Sequence, residues 1–266
     1  SRSFQPDPGM IMLVILTGWA LYQWADERSW RWAIMAGIFG GMAAFVKVIG
    51  AFFVGGMTIG VVFYSLGITA DIQNQEDPKW VLSNLKSGFR NPQIWVMAGL
   101  MIMPAFAYYL AGSGESSSSY FVNWTIISRW RDVLSLSFFI RWMIRISSLM
   151  EPSVVLAAFV GTFLVGPRSR ALLWGFWGGY LLFGLTFPHH ITTHDYYHLP
   201  LLAVVSMSLP ALATHVINVV KQRGKFIQVL LVLVAVIAAL YNAWVGRSIL
   251  VGQDFSDHPA YWAEIG

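Results

Sequence analysis

The chain has 266 residues, of which 56% are hydrophobic, 15% aromatic and only 11% charged, with a formal net charge of +4 and no cysteine. A soluble domain is about a quarter charged, so this composition excludes an ordinary soluble enzyme, a disordered protein and a nucleic-acid-binding module. Without cysteine there is no disulfide framework and no thiolate chemistry.

The apolar runs are continuous, unlike the alternating strands of a membrane β-barrel. A helical span needs about 20 mostly apolar residues. Eight stretches predict spans: residues 9–24, 32–46, 49–68, 93–111, 153–165, 171–187, 199–220 and 226–244. The expected class is therefore all-α, a polytopic transmembrane helical bundle of about eight spans with interfacial amphipathic helices. Gly37 and Gly41, and again Gly56 and Gly60, repeat small residues four apart, which lets helix backbones approach closely. Pro104 and Pro210 fall inside spans and predict kinks.

Cationic side chains set the expected orientation. Arg28, Arg31, Lys79, Lys86, Arg90, Arg168, Arg170, Lys221, Arg223 and Lys225 sit in one set of loops, with short basic turns, which is assigned to the cytoplasm. Arg2, Arg129, Arg131, Arg141, Arg145 and Arg247 lie on the other side, together with the loops 111–152 and 187–198. Residues 69–90 are polar and end in an amphipathic stretch from Trp80. Residues 113–119 are rich in Gly and Ser. In 136–150, Arg141 and Arg145 are four apart among Phe, Trp, Ile and Leu, which predicts an interfacial helix with both cations on one side. The first 245 residues form the expected membrane core, and residues 246–266 the beginning of a soluble segment on the outer side.

Chemistry-bearing residues concentrate in Phe187-Pro-His-His-Ile-Thr-Thr-His-Asp-Tyr-Tyr-His-Leu-Pro200. Here His190, His194 and His198 follow one another at four-residue spacing, so on a helix each neighbouring pair shares a face. Imidazoles spaced in this way suit a divalent metal, with Asp195 as a hard ligand. They also suit donation to a phosphate, helped by Tyr196 and Tyr197, or plain residence at a membrane interface. These three roles stay open.

Lys47 is the strongly charged residue of the apolar stretch 32–68. A cation there must face protein, water or an anion, or snorkel to the headgroups. A lipid phosphate is the functional choice. Asp7 lies at the start of the first span and suits a general base, a metal ligand or a helix N-cap. No P-loop, GxGxxG, HExxH or GxSxG motif stands in a supporting context.

Arg2 with Gln5-Pro6-Asp7, then Gly41 to Lys47, then His194-Asp195-Tyr196-Tyr197 with Pro200 resemble the motifs of the polytopic GT-C glycosyltransferases. The resemblance is to bacterial relatives of protein O-mannosyltransferases and of the lipid A aminoarabinose transferase. It implies transfer of a sugar from a polyprenyl-phosphate carrier to a glycan, lipid or protein acceptor on the extracytoplasmic face of a bacterial inner membrane. Arg2, Lys47, Arg141, Arg145, His194, Tyr196 and Tyr197 would hold the lipid phosphate. No cofactor is required. A divalent ion at His190, His194 and His198 is compatible with it, and nucleic acid is not an expected partner. The family's main catalytic carboxylate lies upstream of the Pro-Asp motif, so the chain is expected to be a fragment, inactive alone, with Asp7 and Asp195 as poorer bases. The rival expectation is a secondary transporter or flippase of an anionic substrate, binding through Lys47 and coupled to protons through His or Asp.

Overall fold

The computed structural model describes residues 6–67, 86, 88–112 and 130–252. Among these the chain is helical, without a strand. The helices are α1 (Asp7–Glu27), α2 (Trp30–Val46), α3 (Gly50–Ser65), α4 (Pro92–Gly112), α5 (Leu136–Leu149), α6 (Pro152–Leu164), α7 (Pro167–Thr186), α8 (Pro188–Thr193), α9 (Leu199–Lys221) and α10 (Lys225–Gly252). Two 3-10 turns, Trp130–Leu134 and Asp195–His198, precede α5 and α9.

Each of the eight expected spans overlies a helix. By length and composition, three are long and apolar enough to cross a membrane: α1, the segment Asp195–Lys221 that contains α9, and Lys225–Ser248 within α10. A fourth qualifies if α5 and α6, bent by 95° at their junction, count as one broken span. The apolar helices α2, α3 and the Pro92–Tyr108 part of α4 are shorter. The chain thus has the helices of a membrane protein, and among the described residues these criteria pick out three or four spans and do not confirm about eight. Helices α4 and α9 run continuously through Pro104 and Pro210.

The chain divides into two compact units, residues 1–213 and 214–266. In the first, α1 to α4 and α7 pack as a bundle around Trp24, Phe53, Phe176 and Phe183, all fully buried. Small residues set the spacing. A Cβ on Gly56 would overlap the carbonyl oxygen of Gly175, one on Gly60 that of Ala171, and one on Gly179 that of Phe52. Helices α3 and α7 therefore touch backbone to backbone. Gly37 and Gly41 do the same for α2 against α4, where Leu100 fills the space a Cβ would need.

At one end of this bundle a polar clasp joins three connections. Trp24 Nε1 donates to Gln93 Oε1 at 2.8 Å, and Gln93 Nε2 donates to the Arg28 carbonyl at 2.8 Å. Arg28 donates to the Ser65 carbonyl at 2.6 Å. Arg168 pairs with Asp26 at 2.8 Å and lies 3.7 Å from the Tyr22 ring centroid. The opposite end gathers the start of α1, the α2–α3 link and residues 187–198.

The second unit contains the end of α9 and all of α10. Helix α10 is apolar, and the best 18-residue window within it buries none of its residues, as a lipid-facing helix does. Residues 246–252, expected to open a soluble segment, continue α10. Residues 253–266 lie outside the described residues, as do Arg2, residues 69–85, residues 113–119 and Arg129.

Candidate functional site

The site forms where α1 starts, α2 stops and α8 leads into α9. Pro6 precedes the first turn of α1, and Asp7 is its first residue. The N-cap position is held by Pro6, not by Asp7. The Asp7 carboxylate is buried and accepts from Lys47 Nζ at 2.7 Å. Lys47 adopts an extended conformation (φ −155°, ψ 120°), which ends α2 and turns its side chain toward Asp7 before α3 begins.

The Lys47 ammonium also lies 4.7 Å from the Tyr196 ring centroid and 4.6 Å from that of Tyr197. A cation is attracted to aromatic faces at such distances. The two phenol rings lie 4.4 Å apart and pack against each other. One carboxylate and two aromatic rings thus replace much of the water that a charged Lys requires. A pocket of about 330 Å³ opens beside Lys47, lined also by Phe45, Tyr108, Phe187, His190 and Tyr197. This volume lies at the lower bound for small-molecule sites.

His190 contributes an edge-on contact to Tyr197, with centroids 5.1 Å apart. Burial, then His189, His194 and the Lys47 ammonium, push its imidazole down to about 4, so it is neutral at pH 7. The stability consequence has a definite sign. Between pH 6.5 and about 4 the unfolded chain binds a proton at His190 and the folded chain does not. Stability is therefore lost as pH falls through this window. A thermal unfolding series in detergent is expected to show that loss, with a shallower slope in His190→Gln.

His194 is exposed and stacks on Tyr196 at 5.2 Å, with 15° between the rings. It does not share a helix face with His190 or His198. Helix α8 stops at Thr193, His194 is extended (φ −129°, ψ 131°), and Asp195–His198 is a separate 3-10 turn. His198 is fully buried, and both of its ring nitrogens are engaged. Its Nε2 contacts the Ile191 carbonyl at 2.9 Å and must be the donor there. Its Nδ1 then accepts from the Tyr180 hydroxyl at 2.6 Å, which in turn accepts from Trp142 Nε1 at 3.0 Å. The four-residue spacing, for which a metal was one of three open roles, belongs in part to a structural network. Among the described residues, no group of three or more His, Cys, Asp and Glu is placed to hold a metal ion.

Arg141 and Arg145, expected on one side of an interfacial helix, differ in surroundings. Helix α5 is amphipathic and buries Phe138, Trp142 and Ile146, four residues apart. Trp142 fits against Gly184 of α7, where a Cβ would overlap its ring. Arg145 is half-buried, donates to the Thr192 carbonyl at 3.0 Å and approaches Asp195 at 3.4 Å. Arg141 is exposed. Arg145 and Asp195 thus brace residues 192–195. The sequence reading missed Tyr180 and Trp142. Their signal was a phenol and an indole inside apolar helices, where each polar end needs a buried partner.

A larger cavity, about 990 Å³, lies elsewhere, in a groove between α3 and α7 lined by Gly55, Gly56, Gly60, Gly175, Gly178 and Gly179. It offers few polar groups, so the chemistry-bearing cluster around Lys47 is the candidate site. Comparison of the chain with protein-family models, curated proteins and solved structures gives no match.

Proposed function

We propose that the chain is the central and C-terminal part of a multi-pass membrane glycosyltransferase. It moves a sugar from a polyprenyl-phosphate donor to a glycan, lipid or protein acceptor at the extracytoplasmic face of a bacterial inner membrane. The observation that carries this reading is the meeting of Asp7, Tyr196 and Tyr197 at the Lys47 ammonium, beside a pocket that Lys47, His190 and Tyr197 line, although the sequence separates them widely. In this topology the eight apolar helices α1 to α4, α6, α7, α9 and α10 all span, and α5 lies at the outer interface. Lys47 then sits at headgroup depth, where a lipid phosphate is available.

Departure of the sugar leaves negative charge on the donor phosphate. A preorganised ammonium stabilises that charge, and a site with little water strengthens the effect. Deprotonation of the acceptor needs a carboxylate. Asp7 and Asp195 are each paired with a cation, which supports assigning the base to the upstream segment that the resemblance implies. The reading requires no cofactor.

One observation favours the rival anion carrier: a half-buried Lys paired with a buried Asp beside a cavity also suits proton-coupled transport. Bacterial membranes containing the intact protein and a radiolabelled polyprenyl-phosphate sugar discriminate between the two. Release of polyprenyl phosphate is expected, with a loss of about a hundredfold or more in Lys47→Ala, the scale of removing one transition-state charge contact. Unchanged turnover in that variant sinks the enzyme reading. Lys47-dependent vesicle uptake of an anion without sugar transfer replaces it with the carrier.

A further inference from the structure

Lys47 stands between two sides. On one is the Asp7 carboxylate, 2.7 Å away and only 2% exposed. On the other is the pocket of about 330 Å³. Resting on the phosphate-site reading above, an anion entering that pocket shares a single ammonium with a carboxylate that water hardly reaches. Two negative charges close together in such surroundings repel strongly, and sites of this kind relieve the repulsion by taking up a proton. A phosphodiester is too weak a base to accept it.

The groups around the pair narrow the choice. Lys47, from the α2–α3 link, and Tyr197, from the turn before α9, face Asp7. Tyr196 and Tyr197 present their rings to Lys47, and His190 of α8 lines the same pocket, with His194 stacked behind Tyr196. Arg145 and Asp195 face each other instead. Neutral phenols take up no proton in this range, so besides His190 on the pocket wall the proton acceptor is Asp7, which contacts the shared ammonium.

We propose that Asp7 is a proton-linked counter-ion: a phosphodiester that binds Lys47 displaces the Asp7–Lys47 ion pair, and the freed carboxylate takes up one proton. Release of the anion returns the proton and restores the pair. The bound anion therefore arrives together with a proton, and its affinity falls as pH rises.

The test uses the full chain in detergent micelles and farnesyl methyl phosphate, a phosphodiester with one fixed charge, so proton exchange belongs to the protein. Calorimetric titrations in buffers of different ionisation enthalpy count protons between about pH 5.5 and about pH 8. Wild type is expected to take up close to one proton per bound probe, with binding tightening by up to about tenfold per pH unit on acidification. Asp7→Asn is expected to bind with no uptake, independently of pH, and about tenfold or more tighter at the alkaline end.

Equal uptake in Asp7→Asn and wild type overturns the proposal. So does uptake that is lost in His190→Gln, which would make the imidazole the acceptor. If Asp7→Asn does not fold, the proton count decides the matter: uptake that persists in His190→Gln supports the linkage, and no wild-type uptake overturns it. Unchanged probe affinity in Lys47→Met rejects the phosphate site itself. Lost affinity there, with an unchanged proton count in Asp7→Asn, rejects the linkage alone.

Discussion

Replacing Lys47 by Met is expected to cost about 3 kcal/mol of stability, the scale of breaking a buried ion pair by removing one partner. The cost arises because the Asp7 carboxylate stays buried without its counter-ion. Asp7→Asn is expected to cost a similar amount, because it strands an ammonium that two aromatic rings solvate only in part. The double variant removes both charges and is expected to lie closer to wild type than either single change, with a coupling of about 2 kcal/mol or more. Chemical denaturation in detergent micelles measures all four corners of the cycle. Additive single effects would show that the two groups do not interact. They would also remove the basis for treating Lys47 as a cation held ready for a phosphate.

Gly56→Ala is expected to destabilise the bundle by about 2–3 kcal/mol, at the upper part of the usual range for overpacking. The new methyl group would occupy the position of the Gly175 carbonyl oxygen, which belongs to a rigid helix and cannot swing aside. Gly55 supplies the control. A Cβ there meets no atom within 4 Å, so Gly55→Ala is expected to be neutral or slightly stabilising through its better helix propensity. Gly178 and Gly179 form the equivalent pair on α7, with open space at the first and the Phe52 carbonyl at the second. Melting temperatures of the four alanine variants check the pattern. Equal effects at Gly55 and Gly56 would mean that α3 and α7 do not meet backbone to backbone.

What was legible in the sequence follows from local patterns. Long apolar runs mark helices whatever they pack against, so each expected span lies on a helix. The Gly37/Gly41 and Gly56/Gly60 spacings mark close-approach faces correctly. Their partners, Leu100 on α4 and Gly175 with Gly179 on α7, lie far along the chain, and no local pattern announces them. The Asp7–Lys47 pair was hidden for the same reason. Each residue stood out as a charge beside apolar sequence, but each had readings that needed no partner in the chain: capping, a base or a metal ligand for Asp7, and snorkelling or a lipid phosphate for Lys47. The histidine spacing misled because it assumed one continuous helix. Thr193 and His194 carry no Gly or Pro to signal the break, yet α8 ends there and sends His198 inward to Tyr180 and Ile191. The number of spans is less legible, because α2 and α3, at 17 and 16 residues, are continuous in apolar character yet shorter than the helices that by length and composition alone can cross a membrane.

The glycine contact between α3 and α7 has a mechanical consequence. With carbonyl groups seated where side chains would otherwise act as spacers, the two helices form a single strut that resists sliding. Lys47 is tied to the leading end of α3 through a short link, and His190 with Tyr197 continues from the trailing end of α7. Two walls of the pocket are thus anchored to the same rigid body. Adjustment to a bulkier occupant must come from the part that the strut does not hold, the first turn of α1, which carries Asp7.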